Sequence, residues 1–316
     1  MQRGGAGMVW ALLAACAPGP SGDPKSDGVD DTDETDVVGD TDDSDTVPVD
    51  HTDPDTDDTA DTDDTDAMPL GTFVEVGPIA FRMGCTPDQY GCDDNERPPH
   101  DVSLTRTVLV AAHEVTQGEF AVVLGYRPSS FVDCGDDCPV ESVTWHEATA
   151  YAVALSTAAG LTPCATCTGS GADVRCTAVA DPYACPGYRL PTEAEWEAAA
   201  RCRGTTVYAG SNNPDEVAWY GKNSGIATKP VGRKKPNNCG LYDLSGNVFE
   251  WTLDWQGPYG AAAVVDPVGP SAGTERVGRG GAYDCSELLT RVSSRGGLDP
   301  ASRDAVLGFR VVRTKP

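Results

Sequence analysis

Twelve cysteines punctuate this 316-residue chain, eleven of them after residue 67, and their spacing constrains the fold more than any hydrophobic pattern does. In an oxidising compartment they pair, and each pair ties together two backbone points that the fold must bring within disulfide reach. Cys85 with Cys92 and Cys134 with Cys138 close small loops rich in Gly and Asp. Cys164, Cys167, Cys176 and Cys185 lie in CATCTGSGADVRCTAVADPYAC, which reads as a self-stapled insert with two bridges. Three arrangements of those bridges are open. The spacing could also suit zinc, but zinc ribbons bring two close pairs and the second pair here is nine residues apart, so disulfides are expected. Cys202, at a helix end, and Cys239, just before GLYDLSGN, form the remaining pair. That leaves Cys285 odd by count.

The compartment is read from the first sixteen residues, MQRGGAGMVWALLAAC. They run from Arg3 through an apolar stretch into Leu13-Ala14-Ala15-Cys16, which looks like a bacterial lipoprotein signal peptide with Cys16 as the lipidated residue. The stretch is too short to span a bilayer as a helix. Ala17 gives no reason for inner-membrane retention, so the expected place is the cell envelope, as an outer-membrane lipoprotein facing the periplasm or the cell surface.

Residues 17–67 are expected to be a disordered linker. Positions 21–67 hold 20 Asp and Glu against one Lys, which accounts for -19 of the formal charge of -26. An Asp/Thr weave such as DTDDTADTDDTDA has almost nothing apolar to offset its ordering entropy, and like charges push it open. As a flexible coil, about 50 residues separate anchor and domain by roughly 40 Å. The weave lacks the Gly-punctuated ligand loop of a calcium array. Residues 68–316 are long enough for one domain with a proper core. That domain carries a net charge of -8, which argues against nucleic acid as a partner.

Three Thr-x-x-Glu boxes, at Thr116/Glu119, Thr144/Glu147 and Thr192/Glu195, predict helix starts in which hydroxyl and carboxylate satisfy free amide donors. The second helix should reach about Ala159 and the third Arg201. Short alternating segments at 72–83, 102–110 and 308–313 read as strands. Residues 203–273, rich in Gly, Asn, Pro and aromatics, read as a long irregular section held by hydrogen bonds, disulfides and ions. The fold class is α+β with few helices.

PHDVSL, HEVTQGEF, SVTWHEATAYA, YRLPTEAEWEAAAR, GLYDLSGNVFEW, RGGAY and GFRVVR follow one another in the order found in the sulfatase-modifying-factor domain of formylglycine-generating enzymes. The resemblance covers nearly all of residues 72–313. It implies a C-type-lectin-like fold with low regular secondary structure, two to three helices and small antiparallel sheets. The family also holds kinase-fused domains, iron-dependent sulfoxide synthases and binding modules, so membership alone does not give activity.

In the active oxidases a sulfatase cysteine is oxidised by oxygen at copper(I) held by two cysteine thiolates, in a motif like R-G-G-S-x-x-C-x4-C. Here Arg279, Gly280 and Gly281 match, Ala282 replaces the serine, Cys285 matches the first copper cysteine, and the second falls on Thr290. A threonine hydroxyl is a hard, neutral oxygen and a poor substitute for thiolate, so copper binding is not expected. Nothing in the spacing supports Cys202 or Cys239 as a replacement. With no His near it in sequence, Cys285 is expected to be a buried, idle thiol, and any catalytic role would be its alone. His100, His113 and His146 are scattered, which disfavours an iron site.

The resemblance further implies calcium (Ca2+) at Ser245, Gly246, Val248 and Glu250, with a second, doubtful site beginning at Asn223 and Ser224. It places Trp251, Arg279, Ala282 and Arg310 near a substrate groove, although core aromatics and structural arginines fit the first two residue types and Arg310 equally well. The resulting expectation is a tethered domain, a monomer, binding peptide, protein or glycan and touching membrane only through its lipid anchor. The alternative is an active copper-dependent protein-cysteine oxidase that generates formylglycine in sulfatases.

Overall fold

The computed structural model describes Cys16 and residues 71–316, so the rest of the expected signal peptide and the expected linker over 17–67 lie outside the described residues. Two nested antiparallel pairs come first: β1 (Phe73–Val76) with β4 (Val108–Ala111), and between them in sequence β2 (Ile79–Met83) with β3 (His100–Leu104). The three Thr-x-x-Glu boxes then start α1 (Gln117–Leu124), α2 (Trp145–Ala158) and α3 (Glu193–Arg201). In each, the Thr hydroxyl accepts from the Glu amide and the Glu carboxylate accepts from the Thr amide. Between α2 and α3 lie β5 (Ala165–Thr168), β6 (Arg175–Ala178) and β7 (Tyr188–Arg189). A short α4 (Pro214–Val217) follows, and the chain ends with β8 (Phe249–Trp255), β9 (Val264–Val265), β10 (Arg276–Arg279), β11 (Arg295–Leu298), β12 (Leu307–Gly308) and β13 (Val312–Thr314).

These strands form small sheets ordered β1-β4-β13-β7, β11-β10-β8-β12, β2-β3-β9 and β5-β6. Only β12 on β8 and β9 on β3 pair in parallel. Together with four helices among the described residues, this is the expected α+β class. Helix α2 buries Ala148, Tyr151, Ala152 and Leu155 in a core shared with Phe120, Trp251 and Phe309. Helix α3 is buried all round; its Trp196 and Ala198 to Ala200 pack in a second cluster with Val102, Leu104, Leu244 and Val312. Each such large apolar side chain contributes about 1.5–3 kcal/mol.

One expectation fails. Residues 203–273 are not irregular throughout, because β8 is a seven-residue strand within them and is the second member from one edge of a four-stranded sheet. Its sequence FEWTLDW alternates apolar and polar residues, but both faces are covered: Glu250, Thr252 and Asp254 are buried along with Phe249 and Trp251. The polar face meets Arg310, the Val277 carbonyl and the Glu193 amide, so alternation here does not mark a solvated edge.

All the proposed disulfide pairs form: Cys85–Cys92, Cys134–Cys138 and Cys202–Cys239. In the insert the bridges are nested, Cys164–Cys185 outside and Cys167–Cys176 inside, the inner one joining opposed residues of the β5–β6 hairpin. The odd cysteine is not odd: Cys285 is bonded to Cys16. No helix among the described residues is long and apolar enough to cross a membrane.

Candidate functional site

The turn after β10 positions Cys285. Gly280 and Gly281 both have positive φ, 93° and 74°, a conformation most side chains resist. At Gly281 a Cβ would also sit 2.7 Å from the Leu289 carbonyl oxygen, so the motif needs glycine there on two counts. The chain then folds back: the Tyr283 amide donates to the Asn247 carbonyl, the Cys285 amide to Ala282, and the Gly221 amide to the Cys285 carbonyl. Cys285 is fully buried, and its sulfur, the Cys16 sulfur and an Asp284 carboxylate oxygen lie within 4.8 Å of one another. Burial pushes the Asp284 carboxyl up to about 6.

Thr290, in the place of the second copper cysteine, is fully buried, and its hydroxyl donates to the Glu287 carbonyl at 3.0 Å. With Thr290 so committed and the Cys285 sulfur bonded to Cys16, neither atom is a thiolate, and the residues do not fit copper(I). Cys285 is therefore a disulfide half and not the idle thiol expected. In this structure the Cys16 sulfur is bonded to Cys285, and a sulfur so bonded cannot at the same time carry the thioether of a lipid anchor.

The expected groove residues do not line a groove. Trp251, Arg279, Ala282 and Arg310 are all fully buried. The Trp251 indole donates to the Val143 carbonyl at 2.9 Å. Arg279 donates to Glu197 and to the Ser293, Ser294 and Val292 carbonyls, and so braces the segment after the motif turn. Arg310 holds both Glu250 oxygens at 2.6 Å and also donates to the Ala111 and Tyr242 carbonyls. Arg279 and Arg310 are internal struts, each with its charge met by a glutamate and its remaining donors on backbone carbonyls.

That same geometry decides the calcium loop. Glu250 accepts from Arg310 and, at 2.8 Å, from the Trp196 indole, so the guanidinium stands where the ion's charge would be needed. The Ser245 hydroxyl accepts from the Ala209 amide. Gly246 has φ 83° and supports the turn, and the Val248 amide donates to Glu114. Glu250, the carboxylate of the expected Ca2+ set, is thus already neutralised by Arg310, while Ser245, Gly246 and Val248, whose backbone carbonyls the resemblance implies as the other ligands, form the tight turn beside it. Asn223 is similarly engaged, accepting from the Tyr220 amide and donating to the Ala218 carbonyl, while Ser224 donates to the Tyr283 carbonyl. Beside this turn, burial together with Asp243 and Glu250 holds the Glu114 carboxyl well above the usual carboxylate range.

Seven arginines are buried among the described residues, and six pair with glutamate: Arg189–Glu195, Arg201–Glu197, Arg279–Glu197, Arg291–Glu96, Arg295–Glu193 and Arg310–Glu250. Burial alone would raise the Glu193 carboxyl, but Arg295 and Arg279 hold it below its ordinary value. The seventh, Arg276, has no carboxylate partner among the described residues. It is clamped between Trp255 and Trp145, 3.4 and 4.0 Å from their ring centroids, and donates to the Leu253 carbonyl.

Arg276 lines a groove of about 610 Å³ with His146, Ala178, Leu253, Trp255 and Pro270. Sequence reasoning missed it. The available signal was Trp255 in FEWTLDW, which shares one side of β8 with Leu253, another lining residue.

Three comparisons bear on identity. The FGE-sulfatase family model, described as the sulfatase-modifying factor enzyme 1-like domain, matches residues 57–315. A chaperone protein LppX of Paenibacillus barcinonensis is 36% identical over 235 residues, covering 65% of this chain and 80% of that protein. A formylglycine-generating enzyme of Streptomyces coelicolor is 38% identical over 145 residues, 39% of this chain, and the match spans 46% of that enzyme's length. Among solved structures, Treponema denticola variable protein 1 superposes with a TM-score of 0.68 at 32% identity, over 77% of this chain and 95% of that one.

Proposed function

The chain belongs to the FGE-sulfatase family, and we propose that within it this chain is an exported binding module that lacks the cysteine-oxidase site. The observation that carries this reading is Thr290, buried and hydrogen-bonded to backbone where the oxidases have their second copper thiolate. Cys16 does not restore the pair in either of two states. Bonded to Cys285, neither sulfur is a thiolate; lipidated, as the Leu13-Ala14-Ala15-Cys16 run suggests, Cys16 leaves Cys285 as a lone sulfur. Copper(I) prefers soft thiolate donors, and both states offer at most one. The six disulfides support placement outside the cytoplasm, and tethering through Cys16 belongs to the second state only.

A second reading rests on a specific observation, the two sulfurs standing side by side. If both are reduced, Cys16 and Cys285 supply the two thiolates an oxidase needs. One experiment separates the readings: titrate copper(I) against a competing chelator with the exported chain, with and without thiol reductant, then incubate it with a peptide containing C-x-P-x-R. Unchanged peptide and no retained copper are expected. One copper per chain with conversion of the peptide cysteine to an aldehyde would make the protein an oxidase.

A further inference from the structure

The groove over Arg276 has the chemistry of a peptide site, and we propose that it receives an extended segment of a partner polypeptide, paired along the free edge of β6, with an Asp or Glu side chain on Arg276. This rests on the binding-module reading and names the class of partner.

The charge pattern comes first. In a domain of net charge -8, none of the groove's lining residues among those described is a carboxylate, and its cation is Arg276, since His146, which also lines it, is held neutral by burial and accepts the Cys176 amide at Nδ1. Every other buried arginine is neutralised by a glutamate. Arg276 is not, and its Nε, like those of Arg279 and Arg291, is buried without a hydrogen-bond partner among the described residues. Its nearest acidic influence, Asp254, is itself pushed up to about 8 by burial and by Glu193, which leaves it largely neutral at pH 7. Burial lowers Arg276 itself only to about 10, so it stays cationic. A buried cation without a counter-ion costs several kcal/mol unless something supplies the charge, and the two tryptophan faces offset only part of that.

The backbone supplies a second, independent observation. The β5–β6 register pairs Ala165 with Ala178 and Cys167 with Cys176, and the Val179 amide donates to the Cys164 carbonyl. In an antiparallel ladder this alternation turns the amides and carbonyls of residues 176 and 178 away from β5. The Cys176 amide is capped by His146 Nδ1 at 3.1 Å. The Ala178 amide and carbonyl have no partner among the described residues, and Ala178 lines the groove. An unpaired edge of this kind accepts an added strand. A volume of about 610 Å³ lies within the usual range for ligand clefts, ~300–1,000 Å³.

The test uses the full oxidised chain and a capped probe, fluorescein-labelled Thr-Val-Asp-Val-Thr amide, followed by fluorescence anisotropy. The Asn analogue is expected to bind about tenfold or more weakly, the scale of one charge-assisted hydrogen bond. A probe N-methylated at alternate backbone amides, unable to donate to the edge, is expected to lose affinity comparably. R276Q should remove the preference for Asp over Asn, and R276K, which keeps the charge, should retain part of it. Equal binding of the Asp and Asn probes by the unaltered protein, or no binding of either, overturns the proposal without recourse to any variant. Aldehyde formation from the C-x-P-x-R peptide would instead overturn the binding-module reading, so the two failures are told apart.

Discussion

Buried charge dominates at the scale of single residues, and it acts in two opposite ways. Arg310 is fully buried and satisfies Glu250 with two hydrogen bonds. Removing it as R310M leaves a carboxylate in the core without its cation, which costs about 3–5 kcal/mol. The E250Q/R310M double variant should recover much of that loss, and urea unfolding of the single and double variants measures the difference. Asp254 shows the converse, a buried carboxyl kept neutral. Its folded-state pKa of about 8 lies above the ordinary carboxylate value, so between roughly pH 4 and 8 the native state holds a proton that the unfolded chain has released. Stability contributed by this group is therefore present at low pH and lost as pH rises through that window. D254N, always neutral, should lose the dependence: the melting-temperature gap between the unaltered protein and D254N is expected to favour the unaltered protein more at pH 5 than at pH 8.

Elements differ in how visible they are before folding. The three helix starts were legible because a capping box is a local contract among four residues, written in hydroxyl and carboxylate at fixed spacing. Cys85–Cys92 and Cys134–Cys138 were legible for the same reason, separations of 7 and 4 that leave few partners, whereas the pairing within the insert stayed open and the Cys16–Cys285 bridge, 269 residues apart, was not foreseen. By contrast β8 was not recognised, because its polar alternate residues are matched by groups 25 or more residues away in sequence, Glu250 by Arg310, Thr252 by the Val277 carbonyl and Asp254 by the Glu193 amide, pairings no local pattern displays. The candidate site fared likewise: Cys285 and Thr290 could be singled out from the motif, but the bond from Cys285 to Cys16, the burial of Trp251, Arg279 and Arg310 and the Arg310–Glu250 pair came only with tertiary packing. A consequence follows for the helices. In α3 the Thr192 hydroxyl is fully buried and also contacts the Tyr183 hydroxyl, whereas Thr116 at α1 is nearer the surface. T192A should cost about 1–2 kcal/mol, the upper part of the range for a lost cap, and T116A about 1 kcal/mol or less, both read from urea midpoints.

For the whole molecule, Cys16 is the residue on which stability and attachment converge. Its bridge to Cys285 has a sequence separation of 269, against 21 for Cys164–Cys185. Loop-closure entropy rises with the logarithm of loop length, so the long bridge should restrict the unfolded chain by about 5.6 kcal/mol and the short one by about 3.3 kcal/mol. A lipidated Cys16 forgoes the larger contribution entirely, and the domain must then stand on its core and its five local bridges. C16S separates these situations. Where the bridge exists, the substitution lowers the urea midpoint markedly and leaves Cys285 as a new, buried thiol; where Cys16 carries lipid, domain stability is unchanged and only membrane attachment is lost. Mass mapping of non-reduced peptides is expected to recover the Cys16 and Cys285 peptides joined. A diacylglyceryl adduct on Cys16 beside an unmodified Cys285 would assign that sulfur to the anchor, and in that form too the groove over Arg276 stays available, since neither cysteine lines it.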